Sequence, residues 1–598
     1  MRRSLTIQER LQNNDLLSFL KKNNKNICNM STHEKKNAVH LEKTGAPEPL
    51  KVIPLGGCGG FGLHCTCFET KKDMIVVDCG LMLPDHEQPG VDIIFPDLTY
   101  LSLNRDKIRG YFLTHGHDDH IGAVPFALQV APAPVYGTDF TLGMLKIRLD
   151  DHIVPVEAIL NTITPGERID LGDSFVVEPV TVAHSIPGSV AYSMDTPSGK
   201  VLITGDYKIK ATDQGCDKST DIKRLEELGE DGVELLLGDS TNALVPGAAG
   251  TEDDLHDFLA QTFATSPGRV FVSLFSTHVP RIQTICDICR RFNRKIFFEG
   301  RSLQTVVKLA RRLDVLDIPE HLLMPTYWAN DVPRKSSAVL LTGSQGEPRS
   351  ALARLAMDAN NQISLEPGDT VILSARVVPG RERSVDRMVD RLYRLGAVVF
   401  DNRFGEKVHV SGHGQKEDLT KMLQLLRPRN FLPVHGRYRM QMEHAEIARR
   451  LGTDHVIIPN NGSIIGLGPS GLTELGQATV GQVLVDGNSV GDVEIPVLRA
   501  RRALAHMGMV VAVALLDVEK KALARPLELI SRGFITEYNK DDLFDSARKA
   551  VERDIHELAT NARSDSSEVA ETIRLGIRRF FRKELNRAPV VIPLVIET

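Results

Sequence analysis

The stretch FLTHGHDDHIGA, residues 112–123, places three histidines and two aspartates within six positions, directly after a short apolar run. The side chains of His115 and His117 alternate along extended backbone, so both imidazoles can point to one side. Asp119 and His120 face a second position in the turn that follows. An isolated histidine is usually a satisfied core residue, but this spacing predicts ligands for two neighbouring metal ions.

Two adjacent cations need more ligands than these four residues provide. Other apolar runs also end in a candidate ligand: VTVAH ends at His184, VLITGD at Asp206 and FLPVH at His435. In α/β sheets, ligands bind outside the carboxyl ends of the strands, so we expect these three residues to complete the centre. The two oxygens of Asp206 can bridge both ions. Five imidazoles and two carboxylates suit zinc, with manganese as the alternative because carboxylates also suit that metal.

Further runs end in titratable residues that are not needed as ligands. ELLLGD ends at Asp239, which we expect to orient a ligand histidine through its free ring N–H. IVVD ends at Asp78, for which two interpretations stay open, the orientation of a ligand and the capping of a turn. VFVSLFSTH ends at His278 and VHVSGH at His413, so the sequence predicts eight strand ends that meet at one site.

The composition is that of an ordinary globular protein, and it excludes several classes. A chain of 598 residues is too long for one core, so several domains are expected. The net charge of −5 excludes a wholesale polyanion binder and leaves a local basic channel for any nucleic acid. No apolar run approaches the ~18–20 residues that span a bilayer, so no membrane partner is expected. Eight cysteines without framework-like spacing favour a reducing compartment, the cytoplasm.

Several motifs together carry a family resemblance. HGHDDH, His184 and the aspartate of TGD resemble the metallo-β-lactamase superfamily. GDSTN at 238–242, HVSGHG at 409–414 and LPVHG at 432–436 match the later motifs of its β-CASP branch, whose members act on nucleic acids. VLRARRALAHMGMVVAVALLD and ISRGFI are similar to the C-terminal domain of bacterial ribonuclease J. The resemblance covers residues 51–598. One departure is the turn GGCGGFG, which has Gly60 where the family usually has an acidic residue, and this removes no metal ligand.

The resemblance also implies roles for residues outside the metal centre. His413 would supply a proton or a positive charge to the leaving sugar oxygen. A phosphate pocket would be formed by Thr277, His278, His409, Val410, Ser411, Gly412 and His413. Some relatives carry a structural calcium ion, and the matching positions here are Pro89, Val91 and Asp486.

The implied architecture is an α/β fold, in agreement with the β-rich runs that alternate with helical stretches from Lys51 onward. It comprises a metallo-β-lactamase αββα sandwich, an inserted β-CASP α/β domain and a small α/β C-terminal domain. The first 50 residues are expected to form a basic, disordered N-terminal arm, with Met30 as an alternative start. The metallo-β-lactamase domain is expected at 51–250 and 414–475, with the β-CASP domain inserted at 251–413. A linker at 476–494 and an oligomerisation domain at 495–598 would follow.

The implied function is that of a zinc-dependent ribonuclease with 5′-to-3′ exonuclease and endonuclease activity, acting in mRNA decay and rRNA 5′-end maturation. Two Zn²⁺ per subunit would activate a hydroxide that hydrolyses RNA phosphodiesters. The expected partners are RNA, preferably with a 5′-monophosphate, further copies of the chain in a homodimer or homotetramer, and other RNA-decay or ribosome-associated proteins. Two alternatives stay open, a hydrolase of a small ester or thioester and an inactive RNA-binding scaffold. The choice between RNA and single-stranded DNA also stays open.

Overall fold

The computed structural model describes residues 48–598, apart from residues 86, 153–155, 213–217, 361, 379, 403–406, 488, 492, 494 and 536–539. The N-terminal arm predicted at 1–50 lies almost entirely outside the described residues. The described chain divides into two compact units, one of residues 48–83 with 93–483 and one of residues 84–92 with 484–598. Among the described residues, no helix is both long enough and apolar enough to cross a membrane.

The first unit starts with two sets of strands. Up to residue 250 the strands are β1 (Leu50–Gly56), β2 (Cys65–Glu69), β3 (Met74–Val77), β4 (Ile93–Pro96), β5 (Ile108–Phe112), β6 (Val135–Gly137), β7 (Leu160–Thr162), β8 (Ile169–Asp170), β9 (Val176–Thr181), β10 (Val190–Thr196), β11 (Gly199–Ile203) and β12 (Leu235–Asp239). The helices of this part are α1 (Thr99–Leu103), α2 (Asp118–Ile121), α3 (Val124–Val130), α4 (Asp139–Asp150) and α5 (Ile222–Asp231).

An inserted α/β domain follows. Its helices and strands alternate as α6 (Asp253–Thr265), β13 (Val270–Ser273), α7 (Val279–Arg291), β14 (Lys295–Glu299), α8 (Arg301–Arg312), β15 (Ser337–Leu341), α9 (Ala351–Ala356), β16 (Thr370–Leu373), α10 (Glu382–Arg394) and β17 (Val398–Asp401). The strands pair in parallel in the order β14-β15-β13-β16-β17. The central strands are buried on both faces, as is typical of a parallel sheet covered by helices, and Phe271, Val339 and Val371 are fully buried in its core.

The chain then returns to the first part of the unit. The returning elements are α11 (Lys416–Leu426), β18 (Asn430–Val434), α12 (Tyr438–Arg450), β19 (His455–Val456), β20 (Ser463–Gly468) and β21 (Gly471–Gln477). β18 pairs in parallel with β12, with Leu432 opposite Leu237 and Val434 opposite Asp239. The inserted domain is therefore a long connection between two neighbouring strands, and the residues that follow β12 and β18 lie side by side.

The two sheets of this part pack face to face. One has the strand order β21-β20-β1-β2-β3-β5-β6-β7 and the other the order β19-β18-β12-β11-β10-β9-β8. Phe68 and Phe112 of the first sheet share one buried core with Tyr192 and Leu235 of the second. Burial of each such large apolar side chain contributes roughly 1.5–3 kcal/mol. Helices α5 and α11 cover the second sheet through a further core, so the architecture is the predicted αββα sandwich.

One predicted strand is absent. The run VHVSGH at 408–413 reads as a strand by its alternation, but residues 407–410 form no strand. The carbonyl oxygen of Val408 accepts hydrogen bonds from the hydroxyl of Ser374 at 2.6 Å and from the guanidinium of Arg281 at 3.3 Å. Side chains of the inserted domain therefore donate the hydrogen bonds to this carbonyl oxygen that a neighbouring strand would otherwise donate.

The second unit is a small α/β domain. Its elements are β22 (Gln482–Asp486), which begins just before it, β23 (Ser489–Val490), α13 (Ile495–Met507), β24 (Met509–Asp517), β25 (Ala522–Leu523), β26 (Glu528–Arg532), α14 (Lys540–His556), α15 (Ser566–Leu585) and β27 (Val590–Glu597). β24 is central and pairs with β25, β26 and β27. Along β24 the residues Val510, Ala512, Ala514 and Leu516 are fully buried in a core that includes side chains of α14 and α15. Strands β22 and β23 lie within the segment predicted as a linker.

Candidate metal centre

The loop after β5 carries four of the seven predicted ligands, and neighbouring backbone holds it in place. The amides of His64, Cys79 and Leu81 donate to the carbonyl oxygens of Asp119, His120 and Asp118 at 3.1, 2.7 and 2.9 Å. A Cβ atom at Gly80 would lie 1.5 Å from the carbonyl oxygen of Asp119, so only glycine allows this close approach. The ligand loop is thus held by backbone contacts from residues 64 and 79–81.

The first cation position is surrounded by three imidazoles and one carboxylate. Nδ1 of His117 lies 3.0 Å from Nε2 of His115 and 3.2 Å from Nε2 of His184. Oδ2 of Asp206 lies 3.6 Å from Nε2 of His115 and 3.8 Å from Nε2 of His184. Tetrahedral zinc with bonds of ~2.0–2.1 Å separates its ligand atoms by about 3.3–3.4 Å. The four side chains therefore fit a tetrahedral divalent cation.

The second position lies on the other side of Asp206. Nε2 of His120 is 3.4 Å from Oδ2 of Asp206 and 3.9 Å from Oδ2 of Asp119. Nδ1 of His435 is 2.7 Å from Oδ1 of the same Asp206 carboxylate. His435 has a left-handed backbone with φ of 52°, and it follows β18 as predicted. The structure thus brings all seven predicted ligands together, with the Asp206 carboxylate between the two positions.

In three of the five histidines the second ring nitrogen is held by a neighbouring group, as is typical of metal-binding histidines. Nδ1 of His120 lies 2.8 Å from Oδ2 of Asp78, and Thr114 donates to the same carboxylate from both its amide and its hydroxyl. Nδ1 of His115 lies 3.0 Å from the hydroxyl of Thr114. Nδ1 of His184 lies 2.9 Å from the carbonyl oxygen of Gly412. Of the two interpretations of Asp78, the contacts favour the orientation of a ligand.

Burial keeps the imidazoles of the first position in the form that binds metals. It lowers the pKa of both His117 and His184 to about 3, and it lowers the pKa of His115 well below the usual range. Burial disfavours the ionised form of Asp206, which by itself would raise the pKa of its carboxyl. The surrounding histidines, His435 and His120 first, outweigh burial and hold that pKa well below the usual range. Neutral imidazoles and an ionised carboxylate are the ligand forms that a divalent cation needs.

Asp239 and His413 form a pair next to these ligands. Nδ1 of His413 lies 2.8 Å from Oδ2 of Asp239, and its Nε2 lies 3.8 Å from Oδ2 of Asp206. Burial lowers the pKa of His413, but the carboxylates of Asp239 and Asp206 more than offset this and raise the pKa to about 9. Asp239 also lies 3.4 Å from Nδ1 of the ligand His435. The role predicted for Asp239 therefore extends to two histidines, with His413 the closer.

The residues predicted for a phosphate pocket come from two parts of the first unit. His278 caps the N-terminus of α7, where its Nδ1 accepts from the amide of Arg281 at 3.3 Å, and Thr277 directly precedes it. Val410 is buried, and the hydroxyl of Ser411 accepts from the amide of His413 at 3.1 Å. Nδ1 of His409 is buried and has no hydrogen-bond partner among the described residues.

Two further residues next to this segment were not predicted. Nδ2 of Asn242 donates to the hydroxyl of Ser411 at 2.9 Å, and the exposed Arg376 donates to Oδ1 of Asn242 at 3.3 Å. Asn242 ends the GDSTN motif, so its place in that motif was an available signal. Arg376 carries no such signal, because only the packing of the inserted sheet brings it here. Gly412 is confined by close contacts, since a Cβ atom there would lie 2.9 Å from Ser185 and 3.0 Å from the His184 ring.

Two of the residues predicted for calcium, Pro89 and Asp486, contact the guanidinium of Arg501 in this structure. The carbonyl oxygen of Pro89 accepts a hydrogen bond from Arg501 at 3.1 Å, and the same guanidinium forms an ion pair with Asp486. The side chain of Val91 is buried. A positive group of the protein therefore already binds the carbonyl of Pro89 and the carboxylate of Asp486, and a calcium ion there would require Arg501 to move away.

The fold and the site together define a metal-dependent hydrolase of the metallo-β-lactamase fold. Models of known families agree: "Metallo-beta-lactamase superfamily" matches residues 59–235, "Ribonuclease J, beta-CASP domain" 267–392, "Zn-dependent metallo-hydrolase RNA specificity domain" 405–459 and "Ribonuclease J C-terminal domain" 496–598. A solved structure of a protein of unknown function from Enterococcus faecalis V583 shares the fold, with a TM-score of 0.50 and 17% identity over 70% of this chain and 100% of that chain.

Curated relatives extend over almost the whole chain. Ribonuclease J2 of Bacillus subtilis is 34% identical over 92% of this chain and 99% of its own length. Ribonuclease J of Thermus thermophilus is 35% identical over 92% of this chain and 96% of its own length. Ribonuclease J 2 of Staphylococcus aureus is 32% identical over 92% of this chain and 98% of its own length. The chain belongs to the ribonuclease J family.

Proposed function

We propose that this protein is a ribonuclease that hydrolyses RNA phosphodiesters at the centre formed by His115, His117, Asp119, His120, His184, Asp206 and His435. The observation that carries the proposal is the convergence of all seven side chains around one shared carboxylate. A pair of divalent cations, which we propose to be Zn²⁺, activates water and draws charge from the phosphate when bound there. The neutral imidazoles of the first position support zinc over harder cations.

The protein's own residues then have separate tasks. Asp206 holds both cation positions in one fixed relation, because its carboxylate faces both. His413 delivers a proton from Nε2 to the leaving sugar oxygen, and Asp239 keeps that ring oriented through the 2.8 Å contact with Nδ1. Nε2 of His413 lies 3.8 Å from Oδ2 of the shared Asp206 carboxylate and the side chain is 23% exposed, which supports a position at the edge of the metal centre.

The pocket next to the centre supports attack from the 5′ end of RNA. We propose that Thr277, His278, His409, Val410, Ser411 and Gly412, together with Arg376, bind a terminal phosphate. The segment 409–413 joins the two sites, because Gly412 accepts from the ligand His184 while Ser411 is bonded to Asn242. A pocket lined by these residues would suit a 5′-monophosphate and would disfavour a triphosphate, which adds bulk and charge. An internal phosphodiester needs no such anchor, so endonuclease activity is part of the proposal.

We also propose that the second unit joins copies of the chain into a dimer or tetramer. On β27 the side chains of Ile592, Leu594 and Ile596 are 40, 48 and 51% exposed, and Ile530 on β26 is 42% exposed. The opposite face of this sheet packs against its helices, so these residues form an apolar face without a cover among the described residues. A second copy would bury this face. We place the enzyme in the cytoplasm, with mRNA decay and rRNA 5′-end maturation as its tasks.

The direct test uses purified full-length protein and RNA labelled at either end, with matched single-stranded DNA and with a chelator in parallel. We expect chelator-sensitive cleavage of RNA, with mononucleotides released from the 5′ end and some internal products. Hydrolysis of a small thioester without RNA cleavage would favour the small-molecule alternative. RNA binding without any cleavage in the zinc-loaded protein would favour the inactive scaffold.

A further inference from the structure

His64, which lies in none of the predicted motifs, is part of the metal centre in space. It precedes β2 and is 9% exposed. Its amide donates to the carbonyl oxygen of Asp119 at 3.1 Å, and its carbonyl oxygen accepts from the amide of Gly80 at 2.8 Å. Both contacts tie its backbone directly to the ligand loop, so its imidazole is held beside the second cation position.

The imidazole of His64 joins those of two predicted ligands. Ring nitrogens of His64, His120 and His435 all lie within 4.8 Å of one another, so each of the three offers a candidate ligand atom at the second position. Nε2 of His64 and Nε2 of His120 are both buried and have no hydrogen-bond partner among the described residues. A buried nitrogen without a partner is unfavourable, and two of them side by side indicate a group that accepts lone pairs.

The ring orientations limit how the three histidines can share an ion. The rings of His64 and His120 are stacked with centroids 4.2 Å apart and planes only 12° apart. The rings of His64 and His435 are 4.0 Å apart with planes at 72°. An imidazole binds a cation in its own plane, so the stacked pair cannot point at one ion together, whereas His64 and His435 can converge.

We propose that His64 is an additional metal-binding residue of this centre, which binds the second cation beside His435 when it takes the place of His120. Either histidine then contributes one imidazole to the same cation. The consequence is a second site that tolerates displacement of one imidazole. The proposal rests on the metal centre of the proposed function, but it concerns metal binding alone.

The test measures metal content without RNA, so its result is independent of whether the protein cleaves RNA. The variants His64→Asn, His120→Ala and the double variant are loaded with Zn²⁺, dialysed against graded chelator and analysed for metal per chain. We expect His120→Ala to keep a second metal ion. The double variant should lose that ion at a chelator concentration at least about tenfold lower than the concentration that removes it from His120→Ala. The electronic spectrum of Co²⁺-loaded His120→Ala should also change when His64 is replaced.

A matched control is His444→Asn in the His120→Ala background. His444 is also buried with an unpartnered Nε2, but it contacts Ser240 and lies outside the ligand cluster. This control should retain the second metal ion. Circular dichroism of each variant checks folding, and His64→Gln replaces His64→Asn if the latter does not fold. Identical metal retention in His120→Ala and the double variant, or complete loss of the second ion in His120→Ala alone, would overturn the proposal.

Discussion

The candidate metal centre and the proposed phosphate pocket both lie in the first unit, but their residues are held in different ways. The centre takes four of its seven predicted ligands from residues 115–120, and three of its histidines have their second ring nitrogen beside a carboxylate, hydroxyl or carbonyl oxygen. The pocket takes single residues from the start of α7, from segment 409–413 and, with Arg376, from the end of β16. Hydrogen bonds join Ser411 to Asn242 and Asn242 to Arg376.

This difference predicts how each region responds to substitution. A closed set of ligands around shared charges fails as a whole when one member is lost, because the remaining buried charges are left uncompensated. An assembly of separate donors loses only the contribution of the donor that is removed. Substitutions in the two regions should therefore differ in the size and the selectivity of their effects.

The largest effect is expected for Asp206→Asn or His117→Ala, which should reduce RNA cleavage by at least roughly 10⁴-fold, more than a typical acid–base group contributes. Each variant removes a ligand, and Asp206 serves both cation positions. Cleavage rate and zinc content of the purified variants are the measurements. Asp195→Asn is the control, since this half-exposed aspartate only forms surface ion pairs with Arg168 and Lys200. Wild-type cleavage with unchanged zinc content would remove Asp206 or His117 from the ligand set.

The next effect concerns His413→Ala, which should lower turnover by about 10²–10⁴-fold while zinc content stays the same. The reason is that His413 lies 3.8 Å from Asp206 and is anchored to Asp239, so we expect it to act in the reaction and not as a ligand. Single-turnover cleavage and metal analysis on the same preparation provide the comparison. If zinc is lost together with activity, His413 is a ligand and the two regions are less distinct than described.

The pocket should show a smaller and more selective effect. Wild-type protein should digest 5′-monophosphorylated RNA faster than its 5′-triphosphorylated counterpart, and Ser411→Leu should reduce exonuclease activity by about 10- to 100-fold, the cost of losing one hydrogen bond to a charged group. Internal cleavage of a circular RNA should change little, because it uses no 5′ end. Decay curves of matched transcripts measure both. Equal decay of both 5′ ends in the wild type would show that the pocket does not read the terminal phosphate.

The smallest effect is expected from the second unit, which contributes no residue to either region. Leu594→Arg combined with Ile596→Arg should raise the dissociation constant of the oligomer roughly tenfold or more and lower activity only in proportion to dissociation. Sedimentation at several concentrations measures this, with Met357→Arg, an exposed apolar residue of the inserted domain, as the control. An unchanged oligomer in the β27 variant would place the interface elsewhere.

Local patterns predicted those parts of the molecule in which neighbours in sequence are neighbours in space. The apolar runs MVVAVALLD and VVIPLVIE lie in β24 and β27, and in β24 every second residue is buried, as in a strand with one face on the core. The run VHVSGH was also expected to end a strand, but residues 407–410 form none, and the carbonyl oxygen of Val408 accepts hydrogen bonds from Ser374 and Arg281 of the inserted domain instead.

The sequence by itself determined the kinds of ligands and the spacing of four of them, since the repeat of a strand and the turn of a short helix set those distances over a few residues. It also identified His184, Asp206 and His435 by their places at strand ends. Only the tertiary structure decided that Asp206 stands between two positions, that His413 pairs with Asp239, and that His64 stacks on His120. These contacts join residues that are far apart in the chain, since Asp206 and His435 differ by 229 in residue number and Asp239 and His413 by 174. Strand order and the packing of two sheets set such distances, and no local pattern specifies them.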